Sequence, residues 1–302
     1  MLYSRVGIAD KRAALRTGLA GTELLRYPGA FSPLVARAVQ RQGFDGVYVS
    51  GGALAADLGL PDIGLTTLTE VSQRAAAIAR MVDTPTIVDA DTGFGEPLNA
   101  ARTVQTLEDA GVAGCHIEDQ ENPKRCGHLD GKSITNLATS VRRIRAAVEA
   151  RRDPGFVICA RTDVRAAEGL RATVDRAKAY ADAGADLLFP EALADASEFE
   201  AVAAAVDIPV LANMTEFGKS TLLTADELRN AGVRVVIYPV TMLRVAMGAV
   251  VTALSELDDT GTQAGFVEGM QTRTELYDLL DYSDYTSFDT DVYDSGAIHD
   301  DA

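Results

Sequence analysis

Tryptophan is absent from this chain of 302 residues, cysteine occurs three times and lysine five times. Cys115, Cys126 and Cys159 form neither an even set nor a C-x-x-C pair. That argues against a disulfide framework and against a structural zinc site. No apolar run approaches the ~20 residues of a membrane span. The opening MLYSRVGIADKRAALR lacks the apolar stretch of a secretory signal. Basic residues number 28 against 44 acidic ones, for a formal net charge of −16. A field of that sign disfavours nucleic acid and anionic membrane surfaces as partners. What is left is a soluble, cytoplasmic, globular protein, and an acidic excess with scarce lysine fits a halophilic one.

What is present is ordered. A helix-like segment ends at a glycine, a residue or two come next, and an apolar strand begins. The pattern reads QGFDGVYVSGG at 42–52, AGVAGCHIED at 110–119, AGADLLFPE at 183–191 and AGVRVVIYPV at 231–240. Glycine suits the left-handed position just past a helix C-terminus. Three more strands are entered from proline-containing turns, at 84–91, 153–163 and 207–216, and residues 24–27 are an eighth candidate. Helical patterns lie between them, at 33–41, 69–81, 97–110, 135–150, 170–183, 196–206, 225–231 and 240–257. Strands apolar on both faces, alternating with helices, predict a parallel sheet. Eight such units in roughly 240 residues fit an α/β fold of the (β/α)8 TIM-barrel type better than an open Rossmann sheet. No G-x-G-x-x-G or Walker loop follows a strand, so nucleotide binding has little support.

In such a barrel the carboxyl ends of the strands converge on one site. Those ends deliver Tyr48, Ser50, Gly51, Gly52, Asp89, Asp91, Glu118, Arg161, Asp163, Glu191, Asn213, Thr215 and Glu216, with Arg244 a helical turn further on. Asp89, Asp91, Glu118 and Glu191 would repel one another unless a cation sat among them, and oxygen ligands select Mg2+ or Mn2+ over zinc. Arg161 and Arg244 can each hold a carboxylate through paired hydrogen bonds. Gly51 and Gly52 leave backbone N–H groups open to an anion, and Asn213 and Thr215 add neutral donors. The ligand class implied is a polycarboxylate that chelates the metal.

The polar loop at 118–132 holds Cys126 and two of the five lysines. Cys115 and Cys159 lie in strand-like runs and read as small core residues. Cys126 has Lys124, Arg125 and His128 around it in sequence, and positive charge lowers a thiol pKa. It is a nucleophile or a proton donor, and acid/base work is favoured because no acyl or phosphoryl machinery accompanies it.

Lys124-Arg125-Cys126-Gly127-His128 resembles the K-[KR]-C-G-H motif of the isocitrate lyase and phosphoenolpyruvate mutase superfamily, in its lyase branch. Tyr48-Val-Ser-Gly-Gly52, Gly59-Leu-Pro-Asp62, Val88-Asp-Ala-Asp91, His116-Ile-Glu118, Ala160-Arg161-Thr-Asp163, Phe189-Pro-Glu191, the run at 213–218 and Tyr238-Pro239 agree with it. The short chain and the form of 213–218 are most similar to the methylisocitrate lyases. The resemblance implies Mg2+-dependent cleavage of a carbon–carbon bond in a tricarboxylate. It implies Asp62, Asp89, Asp91 and Glu118 for the metal and Cys126, His128, Tyr48 and Arg161 for catalysis. Ser50, Gly51, Gly52, Gly127, Glu191, Asn213, Thr215, Arg244 and Arg273 are implied for substrate. Isocitrate and oxaloacetate are the alternative substrates on the same machinery. A homotetramer is implied too, with a C-terminal helix exchanged between subunits.

The expected organisation is a catalytic barrel over 1–258, a helical extension over 259–282 and an acidic tail over 283–302 without period. If the halophilic reading holds, dialysis from molar into low salt should abolish both activity and the far-ultraviolet circular-dichroism signal. Full folding and turnover without salt would contradict it.

Overall fold

The computed structural model describes residues 3–129 and 131–295. Its strands are β1 (Leu25–Pro28), β2 (Val47–Val49), β3 (Thr86–Asp89), β4 (Gly114–Glu118), β5 (Val157–Thr162), β6 (Leu187–Pro190), β7 (Val210–Asn213) and β8 (Val233–Tyr238). They form one parallel sheet in the order β1-β8-β7-β6-β5-β4-β3-β2. The ring closes where Gly29 bridges to Tyr48 and the Ala30 N–H donates to the Tyr48 carbonyl at 2.8 Å. This is the expected (β/α)8 barrel.

Local chemistry sets the helix starts. Ser32 caps α2 (Pro33–Arg41), which opens on proline, and Ser50 caps α3 (Gly51–Asp57). Thr67 and Glu70 form a capping box on α4 (Leu68–Ala79). Proline opens α5 (Pro97–Asp109), and Asn136 caps α6 (Leu137–Ala150). The helix expected over 170–183 starts earlier, as α7 (Arg165–Asp182), with Gly169 at φ 82° breaking its first turns. The remaining barrel helices are α8 (Ala196–Ala203), α9 (Ala225–Asn230) and α10 (Thr241–Thr260).

Two helices of the barrel region are not expected from sequence. One is α3. The other is α1 (Ile8–Ala20), which buries Lys11, Arg12, Leu15 and Leu19. Cations on its inner face hide its amphipathic pattern. They are bonded to carbonyl oxygens: Lys11 Nζ to Ala79 at 2.9 Å, Arg12 to Val112 and Glu108 at 3.1 and 3.0 Å, and Arg16 to Phe156 at 2.9 Å. Leu15 and Leu19 join an inner core with Tyr27, Tyr48, Ile87, Val157, Cys159, Leu187, Phe189, Leu211, Val235 and Ile237. A second core, including Val88, Cys115, Ile117, Ile158 and Leu188, packs strands against helices. Alternate residues of one strand thus enter different cores, as the two-residue period of a strand requires.

The last barrel helix, α10, buries no residue and exposes Val245, Val250, Val251 and Leu254. The extension contains α11 (Arg273–Leu279), followed by α12 (Tyr282–Ser295). Arg37 of α2 donates to the Leu279 carbonyl at 2.9 Å and pairs with Asp281 at 2.7 Å. Of the acidic tail expected over 283–302, the first part lies in α12. Residues 283–295 continue a helix whose aspartates and aromatics follow no simple stripe, and 296–302 lie outside the described residues.

Closure of the barrel rests on a close backbone approach. A Cβ on Gly29 would stand 2.0 Å from the Pro239 carbonyl oxygen. Gly29→Ala should therefore lower stability by about 1–3 kcal/mol or more, as overpacking does. A urea midpoint equal to wild type would contradict this packing.

Candidate active site

Along the inward face of each strand the chemistry changes from apolar to charged. β5 runs Val157, Cys159, Arg161. β6 runs Leu187 and Phe189 and leads to Glu191, β3 runs Ile87 and Asp89, and β7 runs Leu211 and Asn213. The lower members fill the inner core and the upper members surround a cavity of about 180 Å³. Its lining includes Tyr48, Ser50, Gly52, Asp62, Asp89, Lys124, Cys126, Gly127, His128, Arg161, Glu191, Asn213, Thr215 and Arg244. Residues far apart in sequence thus share one wall because they share one register and one end of the barrel.

Negative charge dominates this wall, and three cations answer it. Arg161 is fully engaged: with Asp163 at 3.0 and 3.1 Å, with Glu118 at 3.2 Å and with Glu191 at 3.2 Å, its guanidinium lying over the Phe189 ring. Lys132 pairs with Asp163 at 3.0 Å and also donates to the Gly127 carbonyl. Lys124 is buried between Asp62 and Asp91, 2.7 Å from Asp91 Oδ1. Burial alone would lower the Lys124 pKa, but Asp91, Glu118, Asp89 and Asp62 outweigh it and hold the ammonium charged. Burial pushes Asp91 up to about 6 and Glu118 well above the usual carboxylate range.

Both lysines come from one loop, and that loop is held at its root and at its tip. At the root, Gln120 bridges to Ile134 and its side-chain amide bonds both the N–H and the carbonyl of Arg125, at 2.9 and 2.8 Å. At the tip, His128 Nδ1 accepts the Lys219 backbone N–H at 2.9 Å. The proton therefore sits on Nε2, which faces Glu191 Oε1 at 2.8 Å and Asn213 Nδ2 at 3.4 Å. Arg161, His128 and Lys132 together overcome burial and hold the Glu191 carboxylate well below its usual range. Gly127 lies against Arg161 and Glu191 with no room for a side chain.

The sequence profile of the phosphoenolpyruvate phosphomutase family matches residues 15–258, which span this barrel and its mouth. The chain belongs to this family. The probable 2-methylisocitrate lyase 2 of Corynebacterium glutamicum is 60% identical over 293 residues, 97% of this chain and 95% of that protein. The 2-methylisocitrate lyase of Aeropyrum pernix is 47% identical, over 92% of this chain and 90% of its own. Among solved structures, oxaloacetate acetylhydrolase with 3,3-difluorooxalacetate superposes with a TM-score of 0.89 at 34% identity, covering 94% of this chain and 97% of that one. Phosphonopyruvate hydrolase with oxalate and Mg2+ does so with a TM-score of 0.83 at 26% identity, covering 93% and 98%.

Within this phosphomutase-family barrel most of the expected residues meet. Asp62, Asp89, Asp91 and Glu118 lie around Lys124, all four raising its pKa. Among the described residues no three His, Cys, Asp or Glu side chains form a ready-made metal cage. Glu118 Oε1 is nonetheless buried without a partner, while Asp91 Oδ1 is met by Lys124 and Glu118 Oε2 by Arg161, both as ion pairs. Arg244 lines the cavity, 3.6 Å from Glu216 and over the Phe217 ring. Arg273 does not join them: it is exposed at the start of α11.

Three expectations change. Gly51 does not present a free N–H, because it donates to Asp89 Oδ2 at 3.2 Å, and the absent Cβ leaves room for that carboxylate. Arg161 is not a free fork for substrate, since carboxylates of this chain occupy it. The Cys126 thiol pKa is raised rather than lowered: burial outweighs its hydrogen bond from the loop backbone. Lys124 turns to Asp62 and Asp91, and Arg125 is exposed beside Gly131, so neither charge faces the sulfur.

His116 is a site residue that the sequence does not single out, although its motif is visible. It is wholly buried, with Nε2 2.7 Å from the Tyr48 hydroxyl and 3.6 Å from Asp89 Oδ1. Burial lowers its pKa to about 4, so it is neutral at pH 7, and burial raises the Tyr48 phenol. A lone histidine in an apolar strand carries no outward mark of this pairing.

A Cβ on Gly127 would stand 2.4 Å from Arg161 Nη2 and 2.5 Å from Glu191 Cγ. Gly127→Ala should therefore hold the loop off its seat. The misplacement should cut kcat by ~10²-fold while thermal stability changes little. Near-normal kcat in that variant would show that the seat does not matter.

Proposed function

We propose that this protein is a Mg2+-dependent lyase that splits 2-methylisocitrate into pyruvate and succinate, with Cys126 as the proton donor. The observation that carries the reading is the seating of the Cys126 loop. It brings a thiol kept protonated by burial, and an Nε2–H imidazole, onto the same cavity wall as the carboxylates at the strand ends. The 2-methylisocitrate lyase names of the relatives supply the substrate.

The donor set fits a hard cation. Its oxygens are carboxylate, Glu118 Oε1 is buried without a partner, and Mg2+ uses only one or two protein carboxylates beside waters and substrate oxygens. Asp62, Asp89, Asp91 and Glu118 would hold it. When bound, Mg2+ would polarise the substrate hydroxyl as it becomes a carbonyl.

The chain's own groups account for the remaining steps. The hydroxyl proton leaves toward Tyr48, which stays a phenol and accepts a proton only by passing its own to His116 Nε2. The carbon–carbon bond breaks and its electron pair enters the carboxylate-bearing fragment. His128 Nε2–H, Asn213 and Thr215 donate to the oxygens where that charge gathers. The Cys126 thiol gives its proton to the carbanion, completing succinate, and the other fragment is pyruvate. Ser50, Gly52 and Arg244 bind the outer carboxylates. Closure of the loop excludes water. The exposed apolar face of α10 supports self-association, which the resemblance sets at a homotetramer.

A methyl group is worth only ~1–3 kcal/mol in an apolar pocket, so rates decide the substrate. With Mg2+, kcat/KM should be highest for 2-methylisocitrate, below it for isocitrate and lowest for oxaloacetate. Cys126→Ser should cut kcat by several orders of magnitude with little change in KM. A higher kcat/KM on isocitrate would change the substrate, and a Cys126→Ser enzyme of near-full kcat would remove the proton donor.

A further inference from the structure

Lys124 occupies a position with an electrostatic consequence. Its side chain is 4% exposed, and its ammonium pairs with Asp62 and with Asp91 Oδ1 at 2.7 Å. Those carboxylates are two of the four proposed above for the divalent cation, so the role inferred for Lys124 rests on that metal site. The other two are less free. Asp89 Oδ1 accepts the Asp91 N–H at 2.9 Å, its Oδ2 accepts the Gly51 N–H, and Glu118 faces Arg161. Asp62 and Asp91 are therefore the oxygens for which two cations contend. An ammonium and a divalent ion drawn to the same carboxylates in a largely dehydrated pocket repel strongly. Lys124 also lies two residues before Cys126, on a segment with short tethers at root and tip. A shift of the ammonium shifts the thiol.

We propose that Lys124 is a competitor built into the chain: metal alone displaces its ammonium from Asp62 and Asp91 and lifts the Cys126 loop. The polycarboxylate substrate then supplies the negative charge that lets both cations remain. The loop seats fully with metal and substrate together, so the proton donor arrives only when there is a carbanion precursor to receive it. This makes Lys124 a positioning residue that acts through charge.

The test reads metal binding without turnover. Mn2+ is titrated by electron paramagnetic resonance into the full-length protein with no substrate, comparing wild type, Lys124→Met and Lys124→Arg. Lys124→Met should bind Mn2+ at least ~10-fold more tightly than wild type, because two cations drawn to the same carboxylates a few ångströms apart repel by at least that factor at a protein's effective dielectric. Lys124→Arg, which keeps the charge, should not gain. In parallel, trypsin cleavage after Arg125 in the wild type should quicken with Mn2+ alone and slow again when succinate and pyruvate are added. That second measurement needs no variant and stands if Lys124→Met folds poorly. Equal or weaker Mn2+ binding by a folded Lys124→Met protein overturns the competition, as does wild-type cleavage indifferent to Mn2+. No saturable Mn2+ binding by any of the three proteins overturns the metal site as well, which separates the two failures.

Discussion

Buried negative charge is the constraint on which the mouth of this barrel depends. Asp62, Asp89, Asp91, Glu118, Asp163 and Glu191 lie within reach of a few cations, and most of them are almost wholly buried. Carboxylates removed from water cannot remain charged without compensation. Arg161 supplies part of it from within the barrel, holding three of them at once. Lys124 and Lys132 supply the rest from outside the barrel, on a loop. The loop is thus part of the charge balance of the strand ends. Its docking and the ionisation of the site are one equilibrium.

That arrangement explains why groups of opposite tendency coexist in so small a space. Cys126 stays a thiol because burial raises its pKa and the lysine next but one to it turns away to Asp62 and Asp91. Glu191 stays a carboxylate because Arg161 and His128 face it. His116 stays neutral although a carboxylate lies near, because desolvation wins. Each side chain acquires its protonation from what it faces, and sequence neighbours rarely face the same way.

The same point measures how far the sequence could be read. The barrel was legible because strands buried on both faces and helices closed by glycine repeat along the chain, and each strand end could be placed by counting. Asp89, Asp91, Glu118, Glu191, Tyr48, Asn213, Thr215 and Arg244 followed from that count alone, and Asp62 from the family resemblance. What failed were inferences from adjacency. Cys126 among basic residues looked like an activated thiol, and Gly51 looked like an open donor. α1 escaped because Lys11 and Arg12 lie on its buried side, where carbonyl oxygens rather than apolar atoms receive them. His116 escaped because the hydroxyl it meets comes from a strand 68 residues earlier. Arg273 is a different case: only the family resemblance pointed to it, and the fold of one chain leaves it in solvent.

The two ends of the barrel are both fastened by basic side chains reaching in from outside, and the fastenings differ in kind. At the floor, Lys11, Arg12 and Arg16 mainly bind carbonyl oxygens, fixed dipoles whose strength is independent of bound ions. At the mouth, Lys124 and Lys132 bind carboxylates, whose hold any arriving ion can change. One end is riveted and the other is latched. Slow, deep opening of amides should therefore mark the floor and ligand-responsive opening the mouth, an asymmetry that keeps the scaffold rigid while its reactive end moves.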